Sequence, residues 1–383
     1  MINDIFNKEL YLDPFPMFKE WRESKTLPYD SGTNTYALSR YDDINYALRS
    51  PHLFSSSSGG RANSIAQPFM VDADDPEHRV QRSVMEKMLT PSSVSKHKSY
   101  VESILKKSIE NINKNESVDV VRVIAQTLPV EFIGSLLGID SSDFHLLRKW
   151  GEAMVEGADG WENVTIEVVE AVVSWFDYFD KMAASGFWDE KDGIISLLLK
   201  ASKEGGRITY DQARGNSLAI LIGGNETAKY LLSGLLEMYS SLPNVPEMYL
   251  ETGPEKFVNE VMRYLSPVVS SARRTTQDVL IGENVIPQGS QVMLFLTSAN
   301  MDDSVFLKPE EFNPMRKETG NLSLGFGPHY CIGASLAKIQ VQTMLEYLIN
   351  NNVKITKDTS IPIEYKHSTF LRGIKKMQAF VHG

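Results

Sequence analysis

Along most of the chain, apolar residues recur every three or four positions, the spacing that lines one face of a helix. Phe15 to Arg22 and Tyr41 to Leu48 carry this pattern briefly and flank Tyr36 to Ser39, which reads as a strand. Asp75-Pro76-Glu77 combines a capping residue, a first-turn proline and an acid. A helix is expected from there to Leu89, where Thr90-Pro91 stops it. Further helical stretches cover Val101 to Ile112, Val120 to Leu137 (kinked or broken near Pro129), Ser142 to Glu156 and Val164 to Ala184. Gly157-Ala158-Asp159-Gly160 joins the last two, an arrangement suited to a moving lid. Thr209 to Leu242 reads as one long helix, and Pro254 to Leu265 as the next, closed by Ser266-Pro267.

After Pro267 the pattern changes. Thr275 to Val285 and Gln291 to Leu296 predict β-structure, and Val353 to Ile355 and Met377 to Val381 predict terminal strands. Asp302 to Arg316 mixes phenylalanines and prolines without a period and reads as a packed loop, whereas Ser/Gly-rich Ser55 to Ala66 reads as a mobile one. The expected fold class is mainly α with a small β portion from roughly 28–40, 268–298 and 353–383, in one domain over 1–383. The alternative is a helical lobe with a separate small β lobe.

Composition narrows the function. Of 383 residues, 42% are hydrophobic, enough for a sizeable core. The 49 acidic and 39 basic residues give a net charge of −10, which argues against general nucleic-acid binding. No uninterrupted apolar stretch reaches the roughly 18 residues of a membrane-spanning helix. Met1 to Pro14 carries acids and no long apolar run, so neither a signal peptide nor an anchor is expected. A cytoplasmic monomer is expected.

The single cysteine lies in Leu324-Gly325-Phe326-Gly327-Pro328-His329-Tyr330-Cys331-Ile332-Gly333, ahead of a helical run from Ala334 to Leu348. Free backbone N–H groups at a helix start favour a thiolate, the form that ligates metal; the alternative is a small buried hydrophobe. In the long helix, Gly223-Gly224 precedes Glu226 and Thr227. Missing side chains there leave a groove beside an acid and an alcohol, and the Thr227 hydroxyl can reach the Gly223 carbonyl one turn back. Close helix packing, with Glu226 in a salt bridge, is the competing explanation. Glu260 and Arg263 sit three apart on one helix face, as do His78 and Arg82 at four. With Arg273, Arg274 and His329 the latter pair suggests a ligand that carries carboxylates.

In this order, Gly-Gly-Asn-Glu-Thr, Glu-x-x-Arg and Gly-x-Gly-x-His-x-Cys-x-Gly resemble the cytochrome P-450 family of haem-thiolate monooxygenases, and Asp75-Pro76-Glu77-His78, Ala299-Asn300-Met301-Asp302 and Phe370-Leu371-Arg372-Gly373 extend the resemblance over nearly the whole chain. It implies the P-450 fold, with haem b between the long central helix and the cysteine-loop helix. It implies Cys331 as axial ligand of the haem iron, with Gly325 and Gly327 letting the loop approach and donate to the sulfur, Phe326 beneath the haem and Ala337 leaving room for it. His78, Arg82, Arg273 and His329 match propionate-binding positions. Glu226 and Thr227 match the acid–alcohol pair that delivers protons to dioxygen, and Glu260 and Arg263 a structural pair. Ala219, Gly223, Val268, Val269 and Phe370 match substrate-facing positions, as does the loop around Ala66 to Met70.

Three positions depart from the family pattern. Leu324 replaces the usual phenylalanine, Glu226 stands where aspartate is also common, and Glu311 occupies the place of an arginine before Phe312, for which Arg316 is the candidate substitute. The resemblance implies a lipophilic small-molecule substrate, O2 and electrons from an external ferredoxin- or flavodoxin-type donor. Docking is expected near Cys331, around Lys87 and Lys338. Rival readings are a peroxide-using or rearranging haem-thiolate enzyme, a haem sensor or carrier, and a helical scaffold without cofactor.

Overall fold

The computed structural model describes residues 5–64, 66–157, 163–186, 192–203, 206–242, 244–318 and 320–383. Its axis is the helix Tyr210–Ser241. Thr209 caps this helix through Gln212 N, while the Gln212 side chain accepts from Thr209 N, a reciprocal box that fixes where it starts. Glycines let neighbours come close. A Cβ at Gly224 would lie 2.7 Å from Ile133 Cδ1 of the helix Thr127–Leu137. Around this axis pack Lys98–Glu110, Phe144–Glu156, Ile166–Ala184, Ile194–Lys203, Pro254–Leu265 and Ala334–Asn350, sharing one continuous apolar core.

The β portion draws on distant parts of the chain. A five-stranded sheet runs in the order Tyr29–Asp30, Thr35–Leu38, Gln291–Leu294, Ser271–Thr275, Phe54–Ser55. Within it Thr35–Leu38 pairs in parallel with Gln291–Leu294, and the other pairings are antiparallel. Gln378–His382 lies between Lys354–Lys357 and Val118–Asp119 in a three-stranded sheet, and Glu364–Lys366 pairs with Gly373–Lys376. The mainly helical fold class matches expectation.

Several local expectations change. Thr90-Pro91 does end the preceding helical run, but Thr90 also accepts from Ser93 N and caps a new helix, Pro91–Ser95. The break expected near Pro129 comes earlier, where a π-helical turn, Val121–Ala125, gives way to Thr127–Leu137. The β-structure expected from Thr275 begins at Ser271 and divides into separate pairings. Ser55 to Ala66 is no free loop over its described part. Phe54–Ser55 is a strand, Ser56 N donates to Asp74 at 2.9 Å and Gly60 N to Asp72 at 2.8 Å. Two carboxylates, buried Asp72 and half-buried Asp74, thus hold a segment whose composition alone suggested mobility. Of the expected lid connection, residues 158–160 lie outside the described residues.

Candidate functional site

Cys331 sits between a tight loop and the start of Ala334–Asn350. Gly325 and Gly327 have φ of +68° and +73°, and a Cβ at Gly327 would collide with the Leu48 carbonyl. Glycine is therefore required there to fold the loop back on the helix Tyr41–Arg49. Cys331 N donates to Leu324 O at 2.9 Å. The sulfur takes the Gly333 backbone N–H, which with Arg82 favours thiolate, while burial pushes the thiol pKa up more strongly. The N–H at Gly325, expected to serve the sulfur, donates instead to Leu322 O at 2.9 Å. Phe326 is 39% exposed, with the Arg49 guanidinium 4.1 Å over its ring, and Leu324 is the loop side chain packed on the core. Ala337 lies half-buried one helical turn beyond Gly333.

Four basic residues from three regions meet near this loop. The His78 and His329 rings lie 4.2 Å apart, and Arg82 donates to Tyr330 O at 2.8 Å. Buried Arg273 bonds neutral groups, Ser271 Oγ at 2.8 Å and Ala272 O at 2.6 Å. His329 is held at 3.2 Å from Ser56 Oγ. Burial, then repulsion from Arg273, His78 and Arg82, pushes the His329 pKa down to about 3, and burial lowers Arg273 to about 10. Such crowding of donors in a buried region is a site that an anion would relieve. His78 is also 3.4 Å from Asp75, so the cluster is not wholly without counter-charge.

The glycine pair of the central helix carries the second group of expected site residues. Ala219, Gly223 and Thr227 share a helical face and are incompletely buried, while Leu218, Leu221, Asn225 and Ala228 beside them are buried. A Cβ at Gly223 would meet nothing within 4 Å. The Thr227 hydroxyl donates to Gly223 O, as the spacing predicted. Glu226 turns the other way. It is fully buried and pairs with Lys229 through Oε2; among the described residues its Oε1 has no partner, nor does the adjacent Asn225 amide. Burial raises its pKa, Lys229 opposing. Acid and alcohol are adjacent but look toward different sides of the helix. Lys229 escaped the sequence reading, although its i, i+3 spacing from Glu226 was visible.

Val268 and Phe370 meet in a small cluster with Val155, Tyr230 and Leu371. Val269 is removed from the substrate-facing set: it is 1% exposed and packs with Phe18, Trp21 and Phe295. Glu260 and Arg263 form two hydrogen bonds of 2.8 Å, and Arg263 also reaches Asn300 O at 2.7 Å and Pro309 O at 2.9 Å. Buried Arg316 lies 3.4 Å from Glu260, so it supplies the second cation that Glu311 does not.

The cytochrome P450 family model matches residues 254–381. Cytochrome P450 109 of Bacillus spizizenii is 28% identical over 98% of this chain and 94% of its own length. A steroid C26-monooxygenase of Mycobacterium tuberculosis is 27% identical, covering 93% and 91%. Among solved structures, CYP109E1 of Bacillus megaterium in complex with testosterone superposes with a TM-score of 0.87 at 26% identity, over 98% of this chain and 99% of that one.

Proposed function

Because the chain belongs to the cytochrome P450 family, we propose that it binds haem through Cys331 and uses Glu226 and Thr227 to supply protons during monooxygenation. The family assignment makes it a haem-containing monooxygenase. Haem bound through a thiolate supplies the activation of dioxygen, so that substrate, O2, two electrons and two protons give hydroxylated product and water. The observation that carries the residue assignment is the convergence of Arg82, Arg273, His78 and His329 beside the one cysteine, a donor set that fits the two carboxylates of haem.

Each residue then has a task. Gly333 N–H and Arg82 stabilise charge on the Cys331 sulfur. Gly325 and Gly327 keep side chains out of the loop's approach. Thr227 lies on the open groove with its own proton committed to Gly223 O, leaving its oxygen to accept from a solvent or substrate donor there. Glu226 supplies the ionisable group behind it. Its unpartnered Oε1 and the adjacent Asn225 amide are polar atoms that the protein does not satisfy, as expected where water carries a proton inward. Glu260, Arg263 and Arg316 hold the proximal side, acting on fold and haem retention and not on the chemistry.

Ala219, Gly223, Val268 and Phe370 present small or apolar surface, so the substrate is a lipophilic small molecule. The names of the steroid monooxygenase and the testosterone complex make steroids the first compounds to try. Electrons come from a separate ferredoxin- or flavodoxin-type protein docking over the cysteine loop, where Arg49, Lys87 and Lys338 are exposed. The protein acts as one unit over 1–383, as a cytoplasmic monomer.

The deciding experiment is the carbon monoxide difference spectrum of the reduced protein, wild type beside Cys331→Ser. A strongly red-shifted Soret band present only in wild type supports the assignment. A haem spectrum without that band refutes Cys331 as thiolate ligand.

A further inference from the structure

A cavity of about 960 Å³ lies between the helix Phe15–Glu23, the later half of the central helix and the hairpin Glu364–Lys376. Phe15, Tyr230, Tyr264, Tyr365 and Arg372 line it, and none of the residues assigned to haem or substrate does. Arg372 is the informative one. Its backbone N–H donates to Pro267 O at 2.9 Å, and its guanidinium lies 4.6 Å over the Phe15 ring. Among the described residues that guanidinium has no hydrogen-bond or ion-pair partner.

The other cations of the lining are engaged. Lys308 is 2.8 Å from Glu311, Lys366 is 2.7 Å from Glu156, Arg22 is 2.9 Å from Ser298 Oγ, and Lys19 is 4.0 Å from Glu23. Among the acids, Glu237 is 3.0 Å from Lys357, and Asp303 and Glu310 border the cavity without reaching Arg372 as a paired group. Asp13 is the carboxylate whose charge is felt at Arg372, together with the phenols of Tyr264 and Tyr365, but it forms no ion pair with it. A guanidinium and two phenolic donors therefore converge on a cavity with an aromatic wall, and the guanidinium carries an unneutralised charge in partly desolvated surroundings.

We propose that this cavity is a second ligand site, for an organic carboxylate with an aromatic body, held by Arg372 with Tyr264 and Tyr365 and stacked along Phe15. A bidentate guanidinium–carboxylate contact fixes the acid, and the Phe15 ring beside the guanidinium offers an aromatic surface for its body.

The test uses the haem-loaded protein with an iron-coordinating azole filling the haem pocket, so that binding there does not contribute. 2-Naphthoate and its neutral counterpart 2-naphthamide are titrated by fluorescence. The expected result is one naphthoate site, about tenfold or more tighter than for the amide. Arg372→Met should bring naphthoate down to the amide's affinity, and Asp13→Asn should tighten it by removing the competing carboxylate. The haem spectrum reports that each variant is folded; if Arg372→Met loses haem, Tyr365→Phe replaces it, with a several-fold loss expected. Equal affinity for acid and amide overturns the proposal. So does unchanged naphthoate binding in the folded variant, or no binding at up to about 10 mM, a concentration at which even a single charge-assisted contact in an apolar cavity registers.

Discussion

Two buried carboxylates, each with a cation three residues later on the same helix, solve the same electrostatic problem differently. Glu260 on Pro254–Leu265 meets Arg263 through two bonds of 2.8 Å, takes Asn313 N at 2.9 Å and has Arg316 at 3.4 Å. Arg263 spends its remaining donors on backbone carbonyls. Among the described residues, Glu226 on the central helix has Lys229 as its one partner, an oxygen left over, and an unsatisfied Asn225 amide beside it. Equal spacing and comparable burial therefore do not make equivalent pairs. A network with every donor and acceptor used is rigid. One left incomplete keeps an oxygen available, and burial, only partly opposed by Lys229, holds the carboxyl pKa up.

The largest effect should come from breaking the closed network. Glu260→Gln leaves Arg263 and Arg316 buried without a full counter-charge and should cost about 3–5 kcal/mol, read as a lower denaturation midpoint and a lower haem-to-protein ratio. Arg316→Met removes only the outer cation and should cost clearly less than Glu260→Gln in the same measurement. An equal cost would mean that Arg316, not Arg263, is the principal partner.

The glycine pair gives a sharper contrast of smaller size. Gly224→Ala drives a methyl to within 2.7 Å of Ile133 and should cost about 1–3 kcal/mol by thermal unfolding. Gly223→Ala meets open space and should stabilise the helix by up to about 1 kcal/mol, while narrowing the groove.

The smallest effect is a pH dependence. The folded protein raises the Glu226 pKa above its ordinary 4.5. Folded Glu226 thus keeps its proton where the unfolded chain has released it. The stability this gives is fully present below about 4.5 and is lost as pH rises through the folded value. Removing both charges in a Glu226→Gln/Lys229→Met variant should flatten the fall in stability above pH 4.5. An unchanged slope in pH-resolved denaturation would show that Lys229 fully offsets burial.

Local grammar made much of this legible. The long helix from Thr209, the helix limits Pro254 to Leu265, and the reach of Thr227 to Gly223 follow from residues close in the chain. What escaped depends on distant partners. Ser55 to Gly60 looked mobile because Asp72 and Asp74, which hold it, lie more than ten residues away. Val269 was matched to a substrate-facing position by the family resemblance, which does not show that its side chain packs in the cluster with Phe18 and Phe295. The Ile194–Lys203 helix was passed over because a short apolar run does not separate helix from strand. Arg316 was named as a candidate, but only the folded loop brings it to Glu260 across 56 positions.

The most direct test compares Glu226→Gln with Glu260→Gln in one experiment: the reduced carbon monoxide spectrum, and hydrogen peroxide released per electron pair with a spin-shifting lipophilic compound bound. The account predicts that Glu226→Gln keeps the red-shifted band and diverts electrons to peroxide, while Glu260→Gln loses haem. Coupled turnover in Glu226→Gln, or full haem retention in Glu260→Gln, would contradict it.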